Sequence, residues 1–171
     1  MKRHMALKTC PVCNMTEINK ALTYRFQGIE HYFCSHQCRQ RFIEYPHLFV
    51  GDPQHGFSAK QKGEELIKSR KLNLSVQITD EIKSRLKQDV GLLMGVESLS
   101  FKEQVIFISY DLLQVSLEDI ESAVVKSAGN LDGAITNKIK RGFIRYSEDC
   151  ELDNLSHLTK KHGAHQFSIS G

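Results

Sequence analysis

Four of the five cysteines in this 171-residue sequence lie between positions 10 and 38. They form two pairs: Cys10 and Cys13 are separated by two residues, and twenty residues later Cys34 and Cys38 are separated by three. A two-residue gap at a tight turn lets two thiolates enter one tetrahedral shell. Inside cells, closely spaced cysteines are more often metal ligands than disulfides. The spacing therefore predicts one site for a soft metal ion.

A hairpin and a helix are needed to bring the two pairs together. Residues 22–26 and 29–33 flank the dipeptide 27–28 (Gln-Gly), and this pattern predicts a β-hairpin about a glycine-containing turn. Ser35 is a good N-cap residue, so we expect the second cysteine pair at the start of a helix. The positive end of the helix dipole favours thiolate over thiol there. These elements would preset the site for a cation.

Neighbouring residues offer further donor atoms. His31 and His36 flank the second cysteine pair, but four sulfurs already saturate zinc. Met15 offers a thioether to Cu(I), although we expect it to pack under the hairpin. Cys150 stands alone, and we interpret it as a small buried apolar residue of the last helix. We predict one soft metal ion per chain, zinc in the purified protein with Cu(I) as the alternative, bound by Cys10, Cys13, Cys34 and Cys38.

The segment after the cysteines is a linker, and a second domain follows it. Its apolar patterning alternates strand and helix periodicity. The predicted elements are a strand over 72–78, a helix from Thr79 or Asp80, strands over 96–99 and 105–109 with a turn near 101–104, and a helix from Ser116 with a capping interaction to Asp119. The order strand, helix, strand, strand, helix is the opening of a ferredoxin-like unit.

A fourth strand is expected next, but residues 131–136 suit one poorly, and the apolar residues of 137–154 favour a long helix. His157, His162 and His165 leave a second metal site open as an alternative. We expect an α+β fold in which a small four-cysteine hairpin and helix module precedes a ferredoxin-like βαββα domain and a long C-terminal helix. The predicted ranges are a module over 1–50, a linker over 51–68, a ferredoxin-like domain over 69–136, a helix over 137–158 and a flexible tail over 159–171.

Bulk composition narrows the classes of function. The formal net charge of +3, with 25% charged residues, is too small to require nucleic acid or a membrane surface as partner. No apolar run approaches the roughly 18 residues of a spanning helix, and the N-terminus lacks the apolar region of a secretory signal. We expect a soluble, cytoplasmic protein. Since phosphate-binding, nucleophile-elbow and zincin motifs are missing from the sequence, we expect no enzymatic activity.

The cysteine region resembles a YHS domain of the TRASH superfamily. The resemblance rests on CPVCNM, YRFQGIEHYFCSHQC and RFIEYPHLFVG and spans about Thr9 to Gly51. It implies that Cys13, Cys34 and Cys38 are metal ligands. Many YHS domains have Asp at the position of Cys10, so this set of four is similar to the four-cysteine zinc fingers of the same superfamily. The framework residues that it implies are Tyr32, Phe33, Phe42, Pro46 and Phe49.

What this resemblance implies is heavy-metal binding, sensing or trafficking, with a metal transporter or a regulator protein as partner. The second domain resembles, over about 72–129, a heavy-metal-associated domain of the copper-chaperone type. That family carries a cysteine pair between its first strand and first helix, whereas residues 78–82 here contain no cysteine. The resemblance thus implies the fold without the metal site.

Two hypotheses remain open from the sequence. In the first, the chain is a soluble zinc- or copper-binding protein of metal homeostasis. In the second, the cysteines hold a structural zinc ion that never exchanges, and the chain serves protein–protein association. Both hypotheses require the same four ligands, so they differ in metal exchange and not in the site.

Overall fold

A computed structural model describes residues 9–54, 56–74, 77–127 and 138–161, and, in the last helix, the side chains of residues 144–156. The chain divides into two compact units, Met1–Glu64 with Asp153–Gly171, and Glu65–Leu152. Helices and antiparallel sheets confirm the α+β class. The elements are β1 (Asn19–Phe26), β2 (Ile29–Phe33), α1 (His36–Glu44), β3 (Ile67–Asn73), α2 (Asp80–Asp89), β4 (Val96–Lys102), β5 (Val105–Asp111), α3 (Leu117–Ser127) and α4 (Lys138–Lys161).

The first unit contains the predicted hairpin. β1 and β2 pair antiparallel, with Phe26 opposite Ile29 across the turn. Both turn residues have positive φ, 49° at Gln27 and 77° at Gly28. Two left-handed residues are what a type I′ turn requires, and this turn matches the twist of the strands on either side. The two-residue turn therefore fixes the register as far as Thr23 opposite Tyr32, and an irregularity in β1 between Asn19 and Thr23 then places Phe33 opposite Asn19.

Helix α1 follows the hairpin directly. The hydroxyl of Ser35 accepts a hydrogen bond from the backbone N–H of Cys38 at 3.2 Å, which caps the helix as predicted. Pro46 ends the helix, because the residue before a proline disfavours the helical conformation. The Nε–H group of Arg39 donates to the carbonyl of Thr23 at 2.9 Å. This bond fastens the helix to β1.

The small core of the first unit is built around Phe42, which is fully buried. Its ring lies 4.9–6.1 Å, centroid to centroid, from the rings of Tyr24, Phe26, His31, Phe33 and Phe49. His31 and Phe33 share this face, as strand alternation predicts. Edge-to-face and stacked aromatic contacts at these distances add to the energy of apolar burial. The core therefore depends on one residue more than on any other.

The segment that we predicted as a linker is folded locally where it follows the core. The side-chain oxygen Oε1 of Gln61 accepts hydrogen bonds from the backbone N–H groups of Gly51 and Ser58, both at 3.0 Å. The hydroxyl of Ser58, a buried residue, accepts in return from the N–H of Gln61 at 3.2 Å. A Cβ at Gly51 would lie 2.2 Å from the carbonyl oxygen of Gly56, so the loop closes too tightly for a side chain.

The second unit has a three-stranded antiparallel sheet in the order β3-β5-β4. The prediction of its first strand was wrong, because the strand covers Ile67–Asn73 and not 72–78. Lys68 and Arg70 are half-buried, and the strand residues on either side of them are exposed. Both therefore share one face of the strand with the buried Leu72. Inward-pointing basic residues hide the apolar alternation by which a strand is recognised.

The hairpin of β4 and β5 is tighter than predicted. β4 continues to Lys102, and Phe101, which we placed in the turn, lies opposite Ile106 in the sheet. The turn itself consists of Glu103 and Gln104, and Glu103 takes a positive φ of 53°. A two-residue connection of this kind leaves no room for a four-residue turn.

The helix starts follow their capping residues. The hydroxyl of Thr79 accepts from the N–H of Ile82 at 3.4 Å at the start of α2. At the start of α3, the N–H of Asp119 donates to the hydroxyl of Ser116 at 3.1 Å, and the N–H of Ser116 donates to the carboxylate of Asp119 at 3.2 Å. This reciprocal pair confirms the predicted capping interaction.

Helix α4 meets the second unit through a buried polar network. The carboxylate of Glu148 accepts from the hydroxyl of Tyr110 at 2.5 Å, from Arg70 at 3.3 Å and from the backbone N–H of Leu117 at 3.3 Å. Burial and the hydrogen bond to this carboxylate raise the pKa of Tyr110, so the phenol stays protonated. Three further ion pairs hold α4 within the unit: Lys68 with Glu151, and Arg145 with both Glu118 and Glu121. Within the described ranges, no helix combines the length and the apolar character needed to cross a bilayer.

Candidate metal centre

The first cysteine pair lies on a tight turn. The N–H of Asn14 donates to the carbonyl of Cys10, and the N–H of Cys10 donates to the carbonyl of Met15, both at 2.9 Å. Asn14 adopts a left-handed φ of 63°, which asparagine tolerates better than most residues. These bonds curl the backbone so that the sulfurs of Cys10 and Cys13 face the same point.

The second pair is placed by the end of β2 and the start of α1. Cys34 comes directly after the last residue of β2, and Cys38 lies in the first turn of the helix. Ser35 stands between them as the N-cap, and its hydroxyl oxygen is 3.8 Å from the sulfur of Cys34. The helix dipole has its positive end at this point, where it stabilises negative charge on the sulfurs.

The four sulfurs converge on one place. All of them lie within 4.8 Å of one another, with Cys13 and Cys34 separated by 3.3 Å and Cys34 and Cys38 by 3.5 Å. These are contacts between free cysteines, since a disulfide bond measures about 2.05 Å. Metal–sulfur bonds of about 2.3 Å give a tetrahedron with edges of roughly 3.8 Å. The observed separations bracket that edge, so the donor set fits one tetrahedral soft ion.

Burial divides the cluster into two halves. Cys10 and Cys38 are completely buried, as are Val12 and Phe33, which neighbour the cysteines in the sequence. Cys13 and Cys34 are half-buried. Sequence reasoning missed the role of Val12, although an apolar residue between two ligands is a recognisable signal. The site is therefore part of the core on one side and open to solvent on the other.

Hydrogen bonds among the sulfurs set their charge in the metal-free chain. Bonds donated by Cys13 and Cys38 hold the pKa of Cys10 far below its usual range, against the opposing effect of burial. Donation to Cys10 raises the pKa of Cys13 to about 12 and, together with burial, also raises the pKa of Cys38. One thiolate is thus stabilised by its neighbours, and a cation at the centre would make further ionisation favourable.

The other predicted donors lie outside the cluster. His31 packs 4.9 Å from Phe42, and burial lowers its pKa. His36 is exposed. Met15 is 39% exposed, so the prediction that it packs under the hairpin was wrong. Cys150 is half-buried, and its interpretation as a buried core residue was also too strong.

The four cysteines form the one group of three or more potential metal ligands that converges among the described residues. His162 and His165, and the side chain of His157, lie outside those residues, so the second site that the sequence left open as an alternative is not tested there. Where a copper-chaperone domain has its cysteine pair, this chain has the N-cap Thr79 and the first turn of α2.

Comparisons with known proteins identify no relative. No family model matches the chain, no curated protein matches it, and no solved structure matches it.

Proposed function

We propose that this chain is a heavy-metal-binding protein that holds one soft ion on Cys10, Cys13, Cys34 and Cys38 and acts in metal homeostasis, sensing or trafficking. The observation that carries the proposal is the convergence of four free sulfurs within 4.8 Å. They come from a turn at residues 10–13 and, twenty residues later, from a strand end and the helix start that follows it. Packing alone gives no reason to gather four thiols at one point.

Zinc and Cu(I) are the ions that suit four sulfur donors. We propose that the first unit is a YHS-type module of the TRASH superfamily with a metal transporter or a regulator as its partner. The hairpin, the helix that carries Cys38 and the proline that ends this helix support that assignment. Four sulfur ligands leave no open position for a substrate, so the proposed role is binding and not catalysis.

A structural zinc site in an interaction protein is the second candidate. It is favoured by the complete burial of Cys10 and Cys38, which makes two ligands part of the hydrophobic core. A structural site holds its ion until the fold is lost, whereas a trafficking site gives it up to a competing thiol chelator. Metal exchange from the folded protein separates the two candidates.

For the second unit we propose a ferredoxin-like domain without a metal site. The antiparallel strand order β3-β5-β4, with a helix after β3 and another after β5, supports this fold. Where a chaperone-type domain carries its cysteine pair, this unit has the N-cap and the first turn of α2. We propose that this unit serves contact with a partner in the cytoplasm.

The test is a count of metal ions in protein purified without added metal, by elemental analysis and native mass spectrometry. We expect one zinc or copper ion per chain. Cys34→Ser should lose the ion, because three thiolates and a hydroxyl bind a soft metal much more weakly. Cys150→Ser is the matched control and should keep it. A full metal content in Cys34→Ser, or a loss in Cys150→Ser, would show that the ligands are assigned wrongly.

A further inference from the structure

We infer that the cysteine site exchanges its ion through one edge, formed by Cys13 and Cys34, and that the acceptor that fits this edge is a thiol-bearing molecule or segment. The inference rests on the proposed function and names the side of the site that a partner meets. It follows from the unequal burial of the four cysteines and of the residues beside them.

One side of the site is closed by the protein. Cys10 and Cys38 have no exposed surface, and Val12, which is next to Cys13 in the sequence, has none either. Arg41, one turn further along α1 from Cys38, is only 4% exposed. An acceptor cannot reach the sulfurs of Cys10 and Cys38 unless the core of the first unit opens.

The opposite side is open. Cys13 and Cys34 are half-buried and their sulfurs are 3.3 Å apart, so they form one edge of the cluster. The chain is exposed directly after Cys13, at Asn14 and Met15, and two residues after Cys34, at His36, while Ser35 between them is half-buried. The accessible edge therefore offers two sulfur ligands close in sequence to exposed residues.

Ligand exchange at this edge needs no oxidant. The incoming thiol gives up its proton and its sulfur forms one bond to the ion, while the bond to Cys13 or Cys34 breaks and the released cysteine takes up the proton. No electron changes hands. A sulfur donor is the appropriate acceptor because a soft ion leaves thiolate ligands most readily for other thiolates.

The first test is limited alkylation of the metal-loaded protein with iodoacetamide, with the modified cysteines located by peptide mass spectrometry. Cys13 and Cys34 should be modified on the order of tenfold faster than Cys10 and Cys38, because reactivity follows exposure. Modification of Cys10 or Cys38 at the same rate or earlier would overturn the inference. A metal count on the same sample reports separately on the proposed function, since a sample without an ion after loading fails that proposal first.

The second test measures transfer of zinc to dimercaptosuccinate, an anionic dithiol. Met15→Glu places a negative charge at an exposed position two residues after Cys13 and should slow transfer severalfold without changing the metal content. Ile29→Glu is the matched control, because Ile29 is also an exposed apolar residue, 58% accessible, but lies at the turn end of β2. Equal transfer rates in the two variants would contradict exchange at the Cys13–Cys34 edge.

Discussion

The two units differ in how they satisfy their buried polar atoms. In the second unit, the carboxylate of Glu148 receives hydrogen bonds from Tyr110, Arg70 and the start of α3, all supplied by the chain itself. In the first unit, the sulfurs of four cysteines have mainly one another as partners. The second unit surrounds this carboxylate with donors of its own, whereas the first unit gathers four sulfur donors at one point.

The two units should also differ in how much a metal ion contributes to their folding free energy. Residues 10–49 of the first unit are about forty residues packed around Phe42, and a core of that size usually needs a staple. Four thiolates that bind zinc can contribute on the order of 10 kcal/mol of apparent folding free energy near neutral pH. That exceeds the few kcal/mol that such a core retains after the loss of chain entropy. We therefore expect the ion to be part of the fold in the first unit alone.

The largest effect is expected from Phe42→Ala. It removes the ring that five others contact and should destabilise the first unit by about 3–5 kcal/mol. If folding and metal binding are coupled, the zinc affinity measured by competition with a chelator should fall by about a hundredfold or more. Ile29→Ala, at an exposed position of the same unit, is the control. An unchanged affinity in Phe42→Ala would mean that the site is formed without the core.

In the second unit, Glu148→Ala should lower the free energy of unfolding by about 3 kcal/mol, because it leaves Arg70, Tyr110 and a backbone N–H without their buried acceptor. The urea midpoint of the amide signals of β5 measures this loss. The control Glu81→Ala removes an exposed pair with Arg85 and should cost at most about 0.5 kcal/mol. Zinc affinity should stay the same in both variants. A loss of zinc affinity in Glu148→Ala would show that the two units unfold as one cooperative system.

The zinc affinity of the first unit should depend on pH, because its ligands are thiols that lose protons when the metal binds. The pKa of Cys10 is held below its usual range by its neighbours, whereas the raised pKa values of Cys13, about 12, and Cys38 mean that zinc must displace their protons. Each displaced proton adds about tenfold per pH unit, so the affinity should rise with pH by at least about 100-fold per unit. Competition titrations with a chelator at several pH values between about 6 and 8 measure this slope. A flat profile would show that the metal does not bind through these thiols.

The smallest effect is expected from Ser116→Ala, which removes the cap of α3 and should cost about 1 kcal/mol in the second unit. Ser84→Ala lies within α2, where the hydroxyl donates to a carbonyl of the preceding turn, and should be nearly neutral. Urea unfolding of the second unit measures both variants. Equal stabilities would mean that the carboxylate of Asp119 alone holds the start of the helix.

Local signals in the sequence predicted the parts of the fold that local forces determine. The turn at 27–28, the cap at Ser35 and the reciprocal pair of Ser116 and Asp119 each depend on residues within a few positions of one another. The cysteine cluster was predictable for a similar reason, because ligand spacing and a hairpin suffice to bring the two pairs together.

Distant partners explain what the sequence did not predict. Lys68 and Arg70 occupy inward positions of β3 because Glu151 and Glu148, about eighty residues later, pair with them. Because these distant partners cannot be read from the sequence, only the apolar end of the strand is recognisable, and the strand is predicted at residues 72–78. The exposure of Met15 was missed because the curl of the preceding turn sends the chain outward.

The most direct test of the central claim is an amide NMR spectrum of the full chain before and after complete removal of the metal by a chelator. We expect the signals of residues 10–49 to collapse to unfolded positions, while those of β3, β4 and β5 stay in place. We also expect one equivalent of zinc to restore the first set. Signals from residues 10–49 that remain dispersed in the metal-free protein would contradict the claim, because packing alone would then hold the first unit together.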